Sequence, residues 1–164
     1  MKILFFFRKK LPQFNSIEGV FAELIKELGK FAITKKVEVP NEGAGPRSII
    51  GNLAFANKHK GEIIHITGHV NYLALVTGRK TVLTIHDIGS AFYGNAVHRL
   101  LIKTFWFWIP ALLVKRITVI SEFTKRELSA LIPYAKHKIR VVHNPVSSII
   151  KEKANIFNAE HPQI

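Results

Sequence analysis

The sequence predicts an α/β domain in three layers, α/β/α, built on a mostly parallel sheet. Three observations predict it. Short β-branched and aromatic runs alternate with helix-period stretches along the chain. At 164 residues the chain is long enough to bury the core of one such domain. Hydrophobic residues make up 48% of it and cysteine is absent, so the fold rests on burial, without disulfides or thiolate-bound metal.

The first strand is expected over Lys2–Phe7, a continuous apolar run of the kind buried on both faces of a parallel sheet. Asn15 stands three residues before Glu18 in a capping-box pattern. Ile17, Val20, Phe21, Leu24, Ile25 and Leu28 then line one helix face, which Gly29 closes. A short strand at Val37–Val39, the turn-rich stretch Pro40–Pro46 and a helix over Ser48–Lys58 follow. Strands are expected at Glu62–Thr67 and Lys80–Ile85, with a short helix at His69–Val76 between them. Val97–Leu113 reads as a long apolar helix broken or bent at Pro110. A strand at Ile117–Ile120, a helix at Glu122–Leu131 and a strand at Lys138–Val142 complete a domain over residues 1–150. Residues 151–164 read as a linker.

The net charge of +13 draws the chain towards something anionic: nucleic acid, an acidic lipid surface or a phosphorylated substrate. The first ten residues are expected to form a buried strand and not a signal peptide, because the apolar run is five residues long and charges follow it. Thr104–Val114 is too short to span a bilayer, so a cytoplasmic protein is expected. Arg99, Lys103, Lys115 and Arg116 bracket Phe105-Trp106-Phe107-Trp108, a composition that suits either a helix packed on the sheet or one lying on a membrane surface. No nucleic-acid-binding motif accompanies the charge, which disfavours nucleic acid as the partner.

Right-handed crossovers bring the carboxyl ends of parallel strands to one edge, where ligands of open α/β sheets bind. The residues after the strands are therefore the candidates: Asn15 and Ser16; Thr67, Gly68 and His69; His86 and Asp87; Ser121, Glu122 and Thr124; and Asn144. His86 can hydrogen-bond a sugar hydroxyl or carry a proton near neutral pH, and equally can be an ordinary turn residue. Asp87, the sole aspartate, can cap its loop. Ser121 can cap the helix it precedes or face an anion at the helix start. No phosphate-loop, GxGxxG, HExxH or GxSxG motif occurs, and two facing carboxylates for glycoside hydrolysis are not in evidence. His65 lies inside a strand, so a metal site from His65, His69 and His86 is not expected.

Three segments together resemble family-4 retaining glycosyltransferases of the GT-B fold. They are Thr81-Val82-Leu83-Thr84-Ile85-His86-Asp87; Ile117 to Leu128 with its Ile120-Ser121-Glu122-Phe123-Thr124; and Lys138-Ile139-Arg140-Val141-Val142-His143-Asn144-Pro145-Val146. Order and spacing agree over roughly residues 60–150. The resemblance implies a Rossmann-like, acceptor-side half of a GT-B fold, and a hexosyl-transferring enzyme that uses a nucleotide-sugar donor. It implies no cofactor and no metal. His86 would contact the donor sugar, Asp87 would shape its loop, Ser121 and Thr124 would sit at the cleft edge, and Asn144 would lie near the crossing to a second domain.

Two departures accompany it. The glycine-rich loop expected after the first strand is Arg8-Lys9-Lys10-Leu11-Pro12-Gln13-Phe14-Asn15-Ser16, with Asn15 and Ser16 in its place, and the usual Asn-Gly is Asn144-Pro145. The expected partners are a C-terminal donor-binding domain or subunit and a cell-envelope glycan or lipid-linked acceptor. Basic charge beside an aromatic helix adds an anionic membrane surface, hence a peripheral position on the inner face of the plasma membrane. The alternative is a non-catalytic basic module on the same fold, binding a membrane surface or nucleic acid.

Overall fold

The computed structural model describes residues 1–10 and 16–144, with the side chain of Ser16 not described. Asn15 and the expected linker at 151–164 therefore lie outside the described residues. Six strands form one all-parallel sheet: β1 (Lys2–Phe7), β2 (Ile33–Glu38), β3 (Ile63–Ile66), β4 (Thr81–Ile85), β5 (Arg116–Val119) and β6 (Ile139–Val141). Their order is β2-β1-β3-β4-β5-β6. The chain steps one way from β1 to β2 and the other way from β3 onward. Right-handed crossovers then put α1 (Ser16–Leu28) on one face and the later helices on the other. The result is a Rossmann-like three-layer domain with unequal layers.

The larger layer contains α2 (Pro46–Asn57), α3 (Ala74–Thr77), α4 (Ala96–Ile102), α5 (Ile109–Leu113) and α6 (Glu122–Leu131). Phe6, Ile66, Leu83, Ile85, Ile117 and Ile139 from the strands meet Leu73, Ile102, Phe107, Leu128 and Ile132 in one core. On the other face Ile3, Phe5, Phe7 and Phe21 form a smaller cluster under α1.

Three elements differ from expectation, each for a physical reason. β2 begins at Ile33 rather than Val37, because an edge strand needs few apolar residues and tolerates Lys35 and Lys36 at its rim. Residues 69–76 form no single helix: His69 takes φ 60°, a 3₁₀ turn covers Asn71–Leu73, and only α3 is α-helical. The long helix is not broken at Pro110.

Instead, the six residues Lys103–Trp108 widen into a π-turn between α4 and α5. Among the buried positions Ile102, Phe107, Pro110, Ala111 and Val114 the first step is five residues, and that step is the π-turn. Proline has no N–H to give the carbonyl four residues earlier. That carbonyl, of Trp106, accepts from Asn71 Nδ2 at 2.9 Å instead. At the far end Lys138 Nζ donates to the carbonyls of Ala111, Leu112 and Val114 at 2.8, 2.9 and 3.0 Å, closing α5 in place of a glycine cap. Burial pushes the Lys138 ammonium pKa down, and Arg79 adds to it.

Candidate functional site

The ends of β1 and β3 lie beside the point where the strand order reverses, the usual ligand crevice of an open α/β sheet. There the chain runs from buried Thr67, whose N–H and Oγ1 both bond the Phe6 carbonyl at 3.0 Å, into Gly68. Gly68 has φ 119°, and a Cβ on it would stand 2.8 Å from His86 Cδ2. Only glycine permits both this turn and this imidazole. His86 Nε2 lies 2.8 Å from the Thr67 carbonyl oxygen. A carbonyl only accepts, so Nε2 carries a hydrogen and Nδ1 is the ring's other hydrogen-bonding atom. The ring thus stands fixed at the sheet's C-terminal rim.

His86, His69, Asp87 and Asn144 converge on a groove of about 260 Å³, walled by Ile17, Val20 and Ile120. Asp87 Oδ1 accepts from the Gly89 N–H at 3.0 Å and so folds its own loop. Burial lowers the His69 pKa, and Arg8 adds to the effect, while Asp87 and Glu18 oppose it. Arg8 Nε and Glu18 Oε1 pair at 3.3 Å with both side chains largely buried, joining the end of β1 to the first turn of α1.

Other candidates fall into different roles. Ser121 Oγ caps α6 by accepting from the Thr124 N–H at 3.1 Å, and Thr124 is buried with its hydroxyl 3.4 Å from the His86 carbonyl oxygen. Both therefore hold α6 against the His86 turn, rather than reaching the groove themselves. Glu122 is exposed and pairs with Lys125 at 3.1 Å, outside the groove linings. Ser16 opens α1, and Asn15 lies outside the described residues.

Asn71 and Trp106 are not among the strand-tip candidates, yet both border a cavity of about 60 Å³ together with His69, His86, Asp87 and Ser90. Trp106 Nε1 donates to the His69 carbonyl at 2.9 Å, and Asn71 holds the Trp106 carbonyl. Asn71 Oδ1 is buried and accepts no hydrogen bond among the described residues. The position of Asn71, two residues past His69, is a signal within reach of the strand-tip rule. Trp106 is not, because its contact depends on the π-turn.

His65 lies one layer deeper, stacked on Phe5 with ring centroids 5.2 Å apart. Its Nε2 meets Thr84 Oγ1 at 2.8 Å, and Thr84 Oγ1 meets Thr118 Oγ1 at 2.8 Å. Burial pushes its pKa down to about 4. Among the described residues no three metal-capable side chains gather.

A sequence model of Glycosyltransferase Family 4 matches residues 26–148, more than half of the chain. The chain belongs to that family. No curated protein matches it by sequence. This family-4 domain is therefore a glycosyltransferase domain, and its matched span contains the His69, His86 and Asn144 rim while starting after Arg8 and Glu18.

Proposed function

We propose that this domain forms the acceptor-side wall of a retaining GT-B enzyme that moves a hexose from a nucleotide-sugar donor to a cell-envelope glycan or lipid-linked acceptor. The observation that carries it is the His86 imidazole, held at the strand tip by the Thr67 carbonyl at 2.8 Å, with Gly68 too small to displace it. A ring fixed this way meets a sugar hydroxyl without reorganising, which is the condition for stabilising a transition state more than the ground state. His69, Asp87 and Asn144 share the groove and supply further polar contacts to hydroxyls. The bond from the anomeric carbon to the leaving nucleotide's phosphate oxygen breaks as the bond to an acceptor hydroxyl oxygen forms, and the hydroxyl proton passes to the departing phosphate. A donor-binding partner domain or subunit would contribute the opposite wall, and no metal or cofactor is called for.

The test is transfer of labelled sugar from a panel of nucleotide sugars into lipid and polysaccharide extracts. The chain would be joined to a family-4 donor-binding domain. His86→Ala is expected to lower transfer by about a hundredfold or more, with an unchanged circular dichroism spectrum. Equal transfer by the variant and the wild type would end the proposal.

A further inference from the structure

We infer that the segment around α4 is a docking surface for an anionic lipid bilayer. Every residue from 92 to 101 is exposed, including Phe92, Tyr93, Val97, Leu100 and Leu101. A helix turn that buries nothing gains no stability from the fold that carries it, so its apolar side chains face water at a cost. The continuous helix Ala96–Leu113 is apolar enough by length and composition to cross a membrane, with mean hydropathy 1.2, but only 22% of it is buried. Ile102, Phe107, Ala111 and Val114 fasten it to the sheet, so it lies along a surface and does not leave the domain to span one.

The surrounding charge selects the occupant. Between Asp87 and Glu122 there is no acidic residue, while Arg99, Lys103, Lys115 and Arg116 all fall there. Lys103 Nζ sits 5.2 Å from the Phe92 ring centroid, an ammonium beside an aromatic ring as at a headgroup boundary. At the other end, exposed Leu112 shares a basic pocket of about 440 Å³ with Arg79, Lys115 and Lys138. Neither Arg79 nor Lys115 pairs with a carboxylate among the described residues. Apolar side chains ringed by cations fit acyl chains beneath anionic headgroups. A second copy of a chain with net charge +13 would repel the first.

Docking needs no sugar chemistry. Only its consequence rests on the transferase reading: Trp106, on the docked helix, bonds the His69 carbonyl, so the groove would lie close to a lipid-borne acceptor.

Flotation of the 164-residue chain with vesicles tests this directly. Binding to phosphatidylglycerol vesicles is expected, with little to phosphatidylcholine vesicles. Leu100→Gln with Leu101→Gln should weaken binding about tenfold or more while leaving the circular dichroism spectrum and thermal midpoint unchanged, because both side chains are exposed. Arg99→Gln with Lys103→Gln should weaken it too and flatten its salt dependence. Undiminished flotation of the double-leucine variant would overturn the inference. So would failure of the wild type to bind anionic vesicles, or a wild-type dimer that the leucine changes dissolve. None of these outcomes bears on sugar transfer.

Discussion

On one face of the sheet Phe6, Ile66, Leu83, Ile117 and Ile139 meet the helices α2 to α6 in a continuous apolar core. On the other, neighbouring positions of the same strands carry His65, Thr84, Thr118 and Arg140, and α1 alone covers the β1 side. Parallel sheets are ordinarily covered on both faces, so strands read as nearly unbroken apolar runs. Here β1 reads that way, while β5 alternates and β4 is interrupted by Thr84. Beside α1 the lightly covered face holds a mostly apolar groove of about 430 Å³, which includes Leu24, His65, Thr118 and Val142. Stability is thus concentrated on one face. The other holds the hydrogen-bonded row His65–Thr84–Thr118, whose middle member precedes the His86 turn on the same strand.

The sharpest way to break this contrast is to hollow out the dense face. Phe107 is 2% exposed and is the residue that the π-turn delivers to the core. Phe107→Ala is expected to cost about 3–5 kcal/mol, measured by denaturant unfolding. A loss under about 1 kcal/mol would mean that the helix spanning 96–113 contributes little to the core, and that the two faces are closer in weight than their packing indicates.

A smaller, pH-gated effect belongs to the polar row. His65 has an ordinary value of 6.5 and is pushed down to about 4 in the fold, mainly by burial and secondarily by the charge of His86. Between these values the unfolded chain holds a proton that the folded chain does not. Stability therefore rises with pH from about 4 to 6.5, is fully present above that, and is lost as pH falls through the window. Urea unfolding at stepped pH should show this slope, and His65→Gln should flatten it. An unchanged slope in the variant would assign the pH dependence to other groups, His69 first among them.

Much of this was legible in the sequence, and the misses share one cause. β1 could be read from its apolar run, β4, β5 and β6 from short β-branched stretches, and the place of His86 from its position after a strand, because these depend on local pattern alone. The π-turn, the Asn71–Trp106 bond and the Lys138 closure of α5 could not, since each is decided by a partner 24 to 35 residues away. The early start of β2 was hidden because edge position, set by topology, relaxes the need for apolar residues. Of the site candidates, Ser121 and Thr124 were visible as hydroxyls at a helix start. Whether they faced the groove or braced the turn beneath it depended on how the start of α6 meets the His86 turn.

The smallest expected effect tests the lightly covered face itself. Thr118 is half-buried and ends the row His65–Thr84–Thr118, with no further side-chain partner beyond Thr84 among the described residues. Valine replaces the hydroxyl with a methyl of similar shape and suits a strand. Thr118→Val leaves Thr84 bonded to His65, so no buried polar atom loses its last partner. The change in unfolding free energy should stay within about 0.5 kcal/mol. If it instead costs more than about 1 kcal/mol, the hydroxyl row is a cooperative network and not a set of separate bonds. The sparse face would then be held by polar order in place of apolar burial, and a double-mutant cycle with His65→Gln would show coupling between the two positions.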